Sequence, residues 1–338
     1  QTCALPILPD HLPVVEIILE PEEDTTGMKC IGKEITEQLE LAPAKFFIIR
    51  YIRNKYVKTE DEDLQTFKGV IADLPTFPIE KGIAGPGLLA QIIIDKYVDH
   101  LPIYRQIERF KREKIKIPSS TIDGWQEAVC KLLEPLYDTL KHRVLSQGYL
   151  QADETPVQVL DQKHKNNIFR GYHWVYYSPL EKTVLFDFRE GRSAKGPSIL
   201  LKDFKGYLQI DGYKVYDRFG DKKDITLLNC MAHARRGFEK ALDYDKPRAE
   251  YAMDMFQKLY AIERFAKLMK LSADERKELR LEHALPILNE LGKWMAKTYQ
   301  TLLPKAPIAK AMAYCIPRWD NLMNYLHDGS LEIDNNMA

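Results

Sequence analysis

The stretch from Tyr149 to Cys230 limits the possible folds more than any other part of the chain. Three segments rich in β-branched and aromatic residues, "YLQADETPVQVL", "YHWVYYS" and "TVLFDF", follow one another at strand length. A helix-like "KGPSILLKDF" comes next, then the strand-like "GYLQID" and "ITLLNC". Segments of this length and composition suit strands. Three strands, a helix, a strand, a helix-like turn and a strand predict an α/β layer in the order of an RNase-H-like core. From 231 to about 326 the apolar period becomes helical, most clearly in "AEYAMDMFQKLYAIERFAKLMK". Its Met and aromatic residues read as core packing, not a cofactor box.

The length of 338 residues allows two or three domains. Four regions are predicted. Residues 1–58 form a small N-terminal module containing the alternating strand "AKFFIIRYIRNKYV", and residues 59–85 an acidic, then Pro-containing linker. Residues 86–148 form a helical region, and residues 149–338 the α/β core with a helical insertion at about 245–326. In 86–148 a helix, a basic helix, a short turn and a longer helix give a helix-turn-helix-like order. Lys plus Arg equals Asp plus Glu at 49 each, so any nucleic-acid role requires a local basic patch. The most basic window runs from Arg105 to Lys116 and includes Arg109, Lys111 and Arg112. It is either a solvated helix face or a DNA contact.

The five cysteines, Cys3, Cys30, Cys130, Cys230 and Cys315, are odd in number and scattered, which suits reduced thiols. No apolar run reaches membrane-spanning length, and the densest, "QIIIDKYV", is interrupted by Asp95 and Lys96. The start lacks a signal-peptide pattern. A cytoplasmic protein without membrane contact is expected. The opening "QTCALPI" reads as foreign sequence, which makes the chain a fragment cut at both ends. Near the other end, Asp334, Asn335 and Asn336 form a cluster of the kind that caps a helix.

Asp153 lies near the centre of the first predicted strand, where an ionised carboxylate is costly without compensation. Asp211 ends a later strand. Alone, Asp211-Gly212 is a turn signal and Asp153-Glu154 a solvated charge pair. A core of the predicted kind sets these strands side by side and brings both carboxylates to one sheet edge. Two close carboxylates repel, and hard divalent cations relieve that repulsion. A pair of such ions supports in-line phosphoryl displacement. A third acid is needed, normally on a later helix.

"YLQADETPVQVL", "GYLQIDGYKVYDRF", "LNCMAHARRGFEKAL" and "LEIDNN" occur in fixed order, preceded by "GPGLLAQIIIDKYVDHLPIYRQIERFKREKIKIPSSTIDGW". In these motifs residues 8–338 resemble transposases of the insertion sequence 66 family. The resemblance implies an Asp-Asp-Glu transposase that uses two Mg²⁺ or Mn²⁺ ions to cleave and transfer DNA strands. It works as a homo-oligomer on insertion-sequence ends and target DNA, close to the bacterial nucleoid. Asp153 matches the first acid and Asp211 the second. The third is expected in a D-N-N-x-x-E pattern, at position 339. Glu332 is the nearest stand-in and reads as a surface residue. Glu154 points to the opposite strand face from Asp153.

Cys230 and His233 make half a zinc site at most, and the resemblance puts them beside the active site as support. Arg235 and Arg236 are candidate phosphate contacts. The N-terminal module resembles the family's zinc-binding module, but "GMKCIGKE" offers Cys30 alone and Lys58 stands where another Cys falls, so no zinc is expected. Two other readings stay open: a catalytically inactive, transposase-derived DNA-binding protein, and a metal-dependent hydrolase of small phosphate esters.

Overall fold

A computed structural model describes residues 10–42, 45–58 and 70–336. The opening "QTCALPI" with Cys3, and the acidic part of the linker at 59–69, lie outside the described residues. The chain divides into two compact units, Gln1–Tyr137 and Asp138–Ala338. Among the described residues no helix is long and apolar enough to cross a membrane, and Cys30, Cys130, Cys230 and Cys315 are free thiols.

In the first unit, β1 (Val14–Leu19), β2 (Met28–Ala42) and β3 (Lys45–Lys58) form a sheet ordered β1-β3-β2, and β4 (Val70–Ile71) pairs with β3. β3 is the strand expected from alternation. Its antiparallel partner β2 is a finding of the structure. A register shift falls between Cys30 and Gly32, and the regular part that follows, 32–42, has Glu37 interrupting the apolar series Ile35, Leu39 and Leu41. Three helices follow: α1 (Pro86–Tyr97), α2 (Ile103–Arg112) and α3 (Ser119–Leu145), the last running past the boundary of the unit. The Glu40 carboxylate on β2 accepts the Leu88 N–H at 2.8 Å and so caps the first turn of α1. Gly85 and Gly87 make this approach possible, since a Cβ at either would collide with that carboxylate. Leu39, Phe46 and Ile48 from the sheet pack with Leu88, Ile92 and Phe110 from the helices.

The second unit opens with an antiparallel meander of β5 (Tyr149–Leu160), β6 (Ile168–Ser178) and β7 (Thr183–Arg189). After α4 (Lys195–Leu200), β8 (Gly206–Ile210) and β9 (Ile225–Asn229) add in parallel. The sheet order is β7-β6-β5-β8-β9, so the first strand ends up central. Strand alternation then sorts its residues. Leu150 and Ala152 enter one core with Trp174, Leu185 and Leu208. Tyr149 enters the other, built with the helices that follow. These are α5 (Met231–Glu239), α6 (Lys246–Leu268), α7 (Ala273–Leu279), α8 (Leu285–Tyr299), α9 (Pro307–Cys315) and α10 (Trp319–Met323). Met255, Phe256 and Leu259 of α6 are buried in that second core, as the helical pattern predicts.

A π-helical turn at Arg280–Ala284 follows α7. Arg280 is fully buried there, at 0% exposure. Its guanidinium donates to both Glu263 carboxylate oxygens at 2.8 and 2.9 Å and to the carbonyls of Tyr325, Asp328 and Leu331. Arg276 bonds Glu263 as well and also holds Glu332. One buried side chain thus gathers the chain from 325 to 331 against α6.

Replacing Arg280 with Met leaves Glu263 buried beside only one partner and three carbonyls without a donor. Arg280→Met is expected to destabilise the second unit by about 3–5 kcal/mol in urea denaturation. Burial raises the Glu263 carboxyl, but Arg280 and Arg276 outweigh that and hold it below its ordinary value of 4.5. The unfolded chain therefore takes up this proton first. The contribution of Glu263 is full above pH 4.5 and is lost as pH falls through the lower native value. In Glu263→Gln this part of the acid dependence should vanish.

Candidate active site

The site starts from a register. β5 pairs in parallel with β8 as Tyr149↔Tyr207, Leu150↔Leu208 and Gln151↔Gln209. Each pair is 58 positions apart, as 149 is from 207, and Asp153 and Asp211 keep the same separation. Asp211 is the first residue after β8, and its charge acts on the Asp153 carboxyl. Asp153 shares a face of β5 with Gln151, because strand side chains repeat every second residue. Gln151 Nε2 donates to Gln209 Oε1 at 2.9 Å across this face, and Tyr149 joins the same buried network.

The turn after β8 fixes Asp211. Its Oδ1 accepts the Tyr213 N–H at 2.8 Å. Its backbone carbonyl accepts from the Tyr314 hydroxyl at 2.5 Å, and the Gly212 carbonyl accepts from Arg318 at 3.2 Å. Gly212 has φ +90°. A Cβ there would lie 2.8 Å from Arg318 Nε and 2.9 Å from the Tyr314 hydroxyl. Glycine meets both demands.

Asp153 Oδ1 accepts the Glu154 N–H at 2.8 Å. Burial pushes the Asp153 carboxyl above its ordinary value. The Glu154 N–H works against this, while the Asp211 charge pushes the same way. Glu154 itself is 2% exposed and ion-paired to Arg192, whose guanidinium lies 4.0 Å from the Tyr213 ring centroid. It braces the loop after Asp211.

Cys230 follows β9 and precedes α5, where burial pushes its thiol up. Its Sγ accepts the Asn335 N–H at 3.5 Å, so it fastens the C-terminal segment. His233 sits in the first turn of α5 under the charges of Asp211, Asp153 and Asp334. Burial, then Arg236, pull its imidazole below the ordinary value and leave it neutral at pH 7. Its Nδ1 is buried with no hydrogen-bond partner among the described residues.

Residues 331–336 form no helix; they run along the Gln151/Gln209 face. The Glu332 N–H donates to the Tyr149 hydroxyl, and the Glu332 carbonyl accepts from Gln209 at 2.9 Å. The Asp334 carbonyl accepts from Gln151 at 3.0 Å, and Asn335 Nδ2 reaches the Ala152 carbonyl at 3.4 Å. Asp334 Oδ1 accepts the Asn336 N–H, while its Oδ2 accepts from Tyr260 at 2.9 Å. The Glu332 side chain is 46% exposed and turned to Arg276 at 3.0 Å. The segment thus leads residue by residue to the backbone beside Asp153.

The other basic candidates have mixed roles. Arg235 is half-buried and paired with Glu239 at 3.6 Å, and Arg236 is exposed. In the first unit Arg109 is ion-paired to the buried Asp95, Lys111 bonds Glu108 at 2.7 Å and Arg105 bonds the Tyr104 hydroxyl. Arg112 is exposed.

Sequence reasoning missed the network of Tyr149, Gln151 and Gln209. Its signal is a repeat: "YLQAD" at 149–153 and "YLQID" at 207–211 differ at one position and lie side by side in register. It also missed Tyr260, Tyr314 and Arg318, which come from distant helices and have no local signature.

Residues 81–338 match the Transposase IS66 family. Residues 23–57 match the zinc-finger binding domain of transposase IS66, which corrects the expectation that this module does without zinc. That expectation counted thiols, whereas zinc also accepts carboxylate ligands, the other ligand type in a matched segment without histidine. Cys30 is the one thiol of the matched segment. Among the described residues no group of three or more His, Cys, Asp and Glu is placed to hold a metal ion. Three proteins of Sinorhizobium fredii are similar over nearly the whole chain. They are the uncharacterized proteins y4jD (30% identical over 98% of this chain), y4qI (30% over 97%) and y4hP (27% over 98%). The chain spans 67%, 63% and 63% of their respective lengths. The chain belongs to the IS66 family of transposases.

Proposed function

We propose that this protein is a DNA transposase of the Asp-Asp-Glu type, cleaving and transferring the strands of an insertion sequence on an RNase-H-like core. The observation that carries the reading is the parallel pairing of β5 with β8, which brings Asp153 and, just past the end of β8, Asp211 close enough for their charges to interact. Two like charges facing each other at a half-buried edge call for a cation. The donor set, carboxylate oxygen only, fits Mg²⁺ or Mn²⁺. Such ions would be held by Asp153 and Asp211 and would supply Lewis-acid charge stabilisation for in-line phosphoryl displacement.

The protein's own groups then orient and exclude. The Tyr213 N–H and the Tyr314 and Arg318 contacts hold Asp211 and its turn in place. His233, neutral, offers one ring N–H to a phosphate oxygen. Arg235 and Arg236 contact the backbone of DNA beside it. The segment 331–336 passes beside Asp153, where the Asn335 amide donates to the Ala152 carbonyl. Attack by water or a 3′-hydroxyl forms a new P–O bond and breaks the existing one. The attacking group's proton goes to solvent, and the departing 3′-oxygen keeps the bonding electrons.

Two measurements test this. Mg²⁺ is expected to raise the melting temperature of the wild-type chain, and Asp153→Asn or Asp211→Asn to abolish that rise while raising the metal-free melting temperature. In the full-length gene product each variant should cut insertion-sequence end DNA at least about 100-fold more slowly, the scale of losing one preorganised charge-stabilising group. Undiminished cutting by Asp153→Asn overturns the reading. DNA binding without cutting in wild type leaves a catalytically inactive DNA-binding relative.

A further inference from the structure

Beside the acid pair, a cleft of about 750 Å³ lies between the end of α6, the β6–β7 turn and the C-terminal segment. Gln151 lines its floor, and the next side chain on that strand face is Asp153. The acids in its wall are already matched. Glu263 and Glu332 are paired to arginines, and Asp334 accepts from Tyr260. Arg276, which also lines the cleft, is spent on Glu263 and Glu332, but four other cations are not. Lys182, Arg264, Lys267 and Lys270 all line the cleft and are exposed. Among the described residues none of the four makes an ion pair. A chain with no net charge thus gathers four uncommitted cations next to its acid pair.

Their placement is fixed from two sides. Arg264 and Lys267 sit about one turn apart on α6. Lys270 just after α6 and Lys182 in the β6–β7 turn both have left-handed backbone, with φ +53° and +51°. Glycine or asparagine is the usual occupant of such positions. Lysine there carries charge into the cleft mouth without serving the turn.

The geometry points to a phosphate track: this cleft binds the backbone of DNA, with Lys182, Arg264, Lys267 and Lys270 each taking a phosphate, and leads the strand to Asp153 and Asp211. The inference rests on the transposase reading and names the protein surface through which its substrate arrives. Contacts of this kind carry no sequence information, so the track positions DNA irrespective of its sequence.

The test is duplex binding by fluorescence anisotropy in EDTA, where the acids play no part, over a series of salt concentrations. The variant is Lys182→Gln/Lys267→Gln/Lys270→Gln. The matched control, Lys293→Gln/Lys297→Gln/Lys310→Gln, removes the same charge from exposed lysines on α8 and α9 outside the cleft. Each duplex phosphate contact contributes about 0.9 to the slope of log K against log salt, so the cleft variant should lower that slope by about 2 to 3 and the control should leave it unchanged. Equal slopes for wild type and the cleft variant, an equal loss in the control, or no DNA binding by wild type each overturn the track. The two readings fail separately. Lost binding in the cleft variant of a protein that never cuts DNA removes the catalytic reading and keeps the track. Unchanged binding with cutting that depends on Asp153 removes the track and keeps the catalysis.

Discussion

The parallel pairing of β5 with β8 is the constraint on which the rest of the second unit depends. Its register brings two five-residue segments of nearly identical sequence side by side. The same offset that joins Leu150 to Leu208 in the core sets Asp153 against Asp211 at the edge. Burying the apolar alternate residues therefore forces two like charges together. A slip of one residue would move the leucines onto the face of Gln151 and Gln209 and an acid into the apolar core with Trp174 and Leu185, so hydrophobic burial favours the observed register.

The remaining structure works to contain that pair. Gln151, Gln209 and Tyr149 fill the space before the acids with a closed set of hydrogen bonds, and the segment 331–335 is laid over them by backbone contacts. That segment is held from behind by Arg280, which binds three carbonyls between 325 and 331 while neutralising Glu263. The helices after β9 are thus more than packing. They carry Tyr314 and Arg318 to the Asp211 turn and Tyr260 to Asp334. The two carboxylates accept from neighbouring N–H groups, while the turn that carries Asp211 is held by residues about a hundred positions away in sequence.

Much of this was legible. The element order from 149 to 230 follows from segment length and period, and the core role of the Met and aromatic residues of α6 follows from helical spacing. Asp153 stands out in the sequence because a carboxylate near the centre of a strand is costly without compensation. Gln151 and Gln209 escaped notice because alternation assigns polar strand residues to solvent, whereas here a second layer of helices covers that face. β2 was hidden by its polar content, with Glu37 breaking the apolar series of Ile35, Leu39 and Leu41. The basic window on α2 overstated the free charge, since Arg109 is spent on the buried Asp95 and Lys111 on Glu108. Charge counted along a sequence does not reveal which cations are already partnered. The same limit concealed the unpaired set at 182, 264, 267 and 270. The thiol count failed for a related reason, because it left the carboxylates of the matched segment out.

The central claim is that Asp153 and Asp211 form one electrostatically coupled pair. Carbon-detected NMR titration of the Asp153 carboxyl, in wild type and in Asp211→Asn without divalent metal, tests it most directly. The account predicts an Asp153 pKa above the ordinary 3.8 in wild type and a lower value in Asp211→Asn. An Asp153 pKa that does not move when Asp211 loses its charge would contradict the pairing and the metal site built on it.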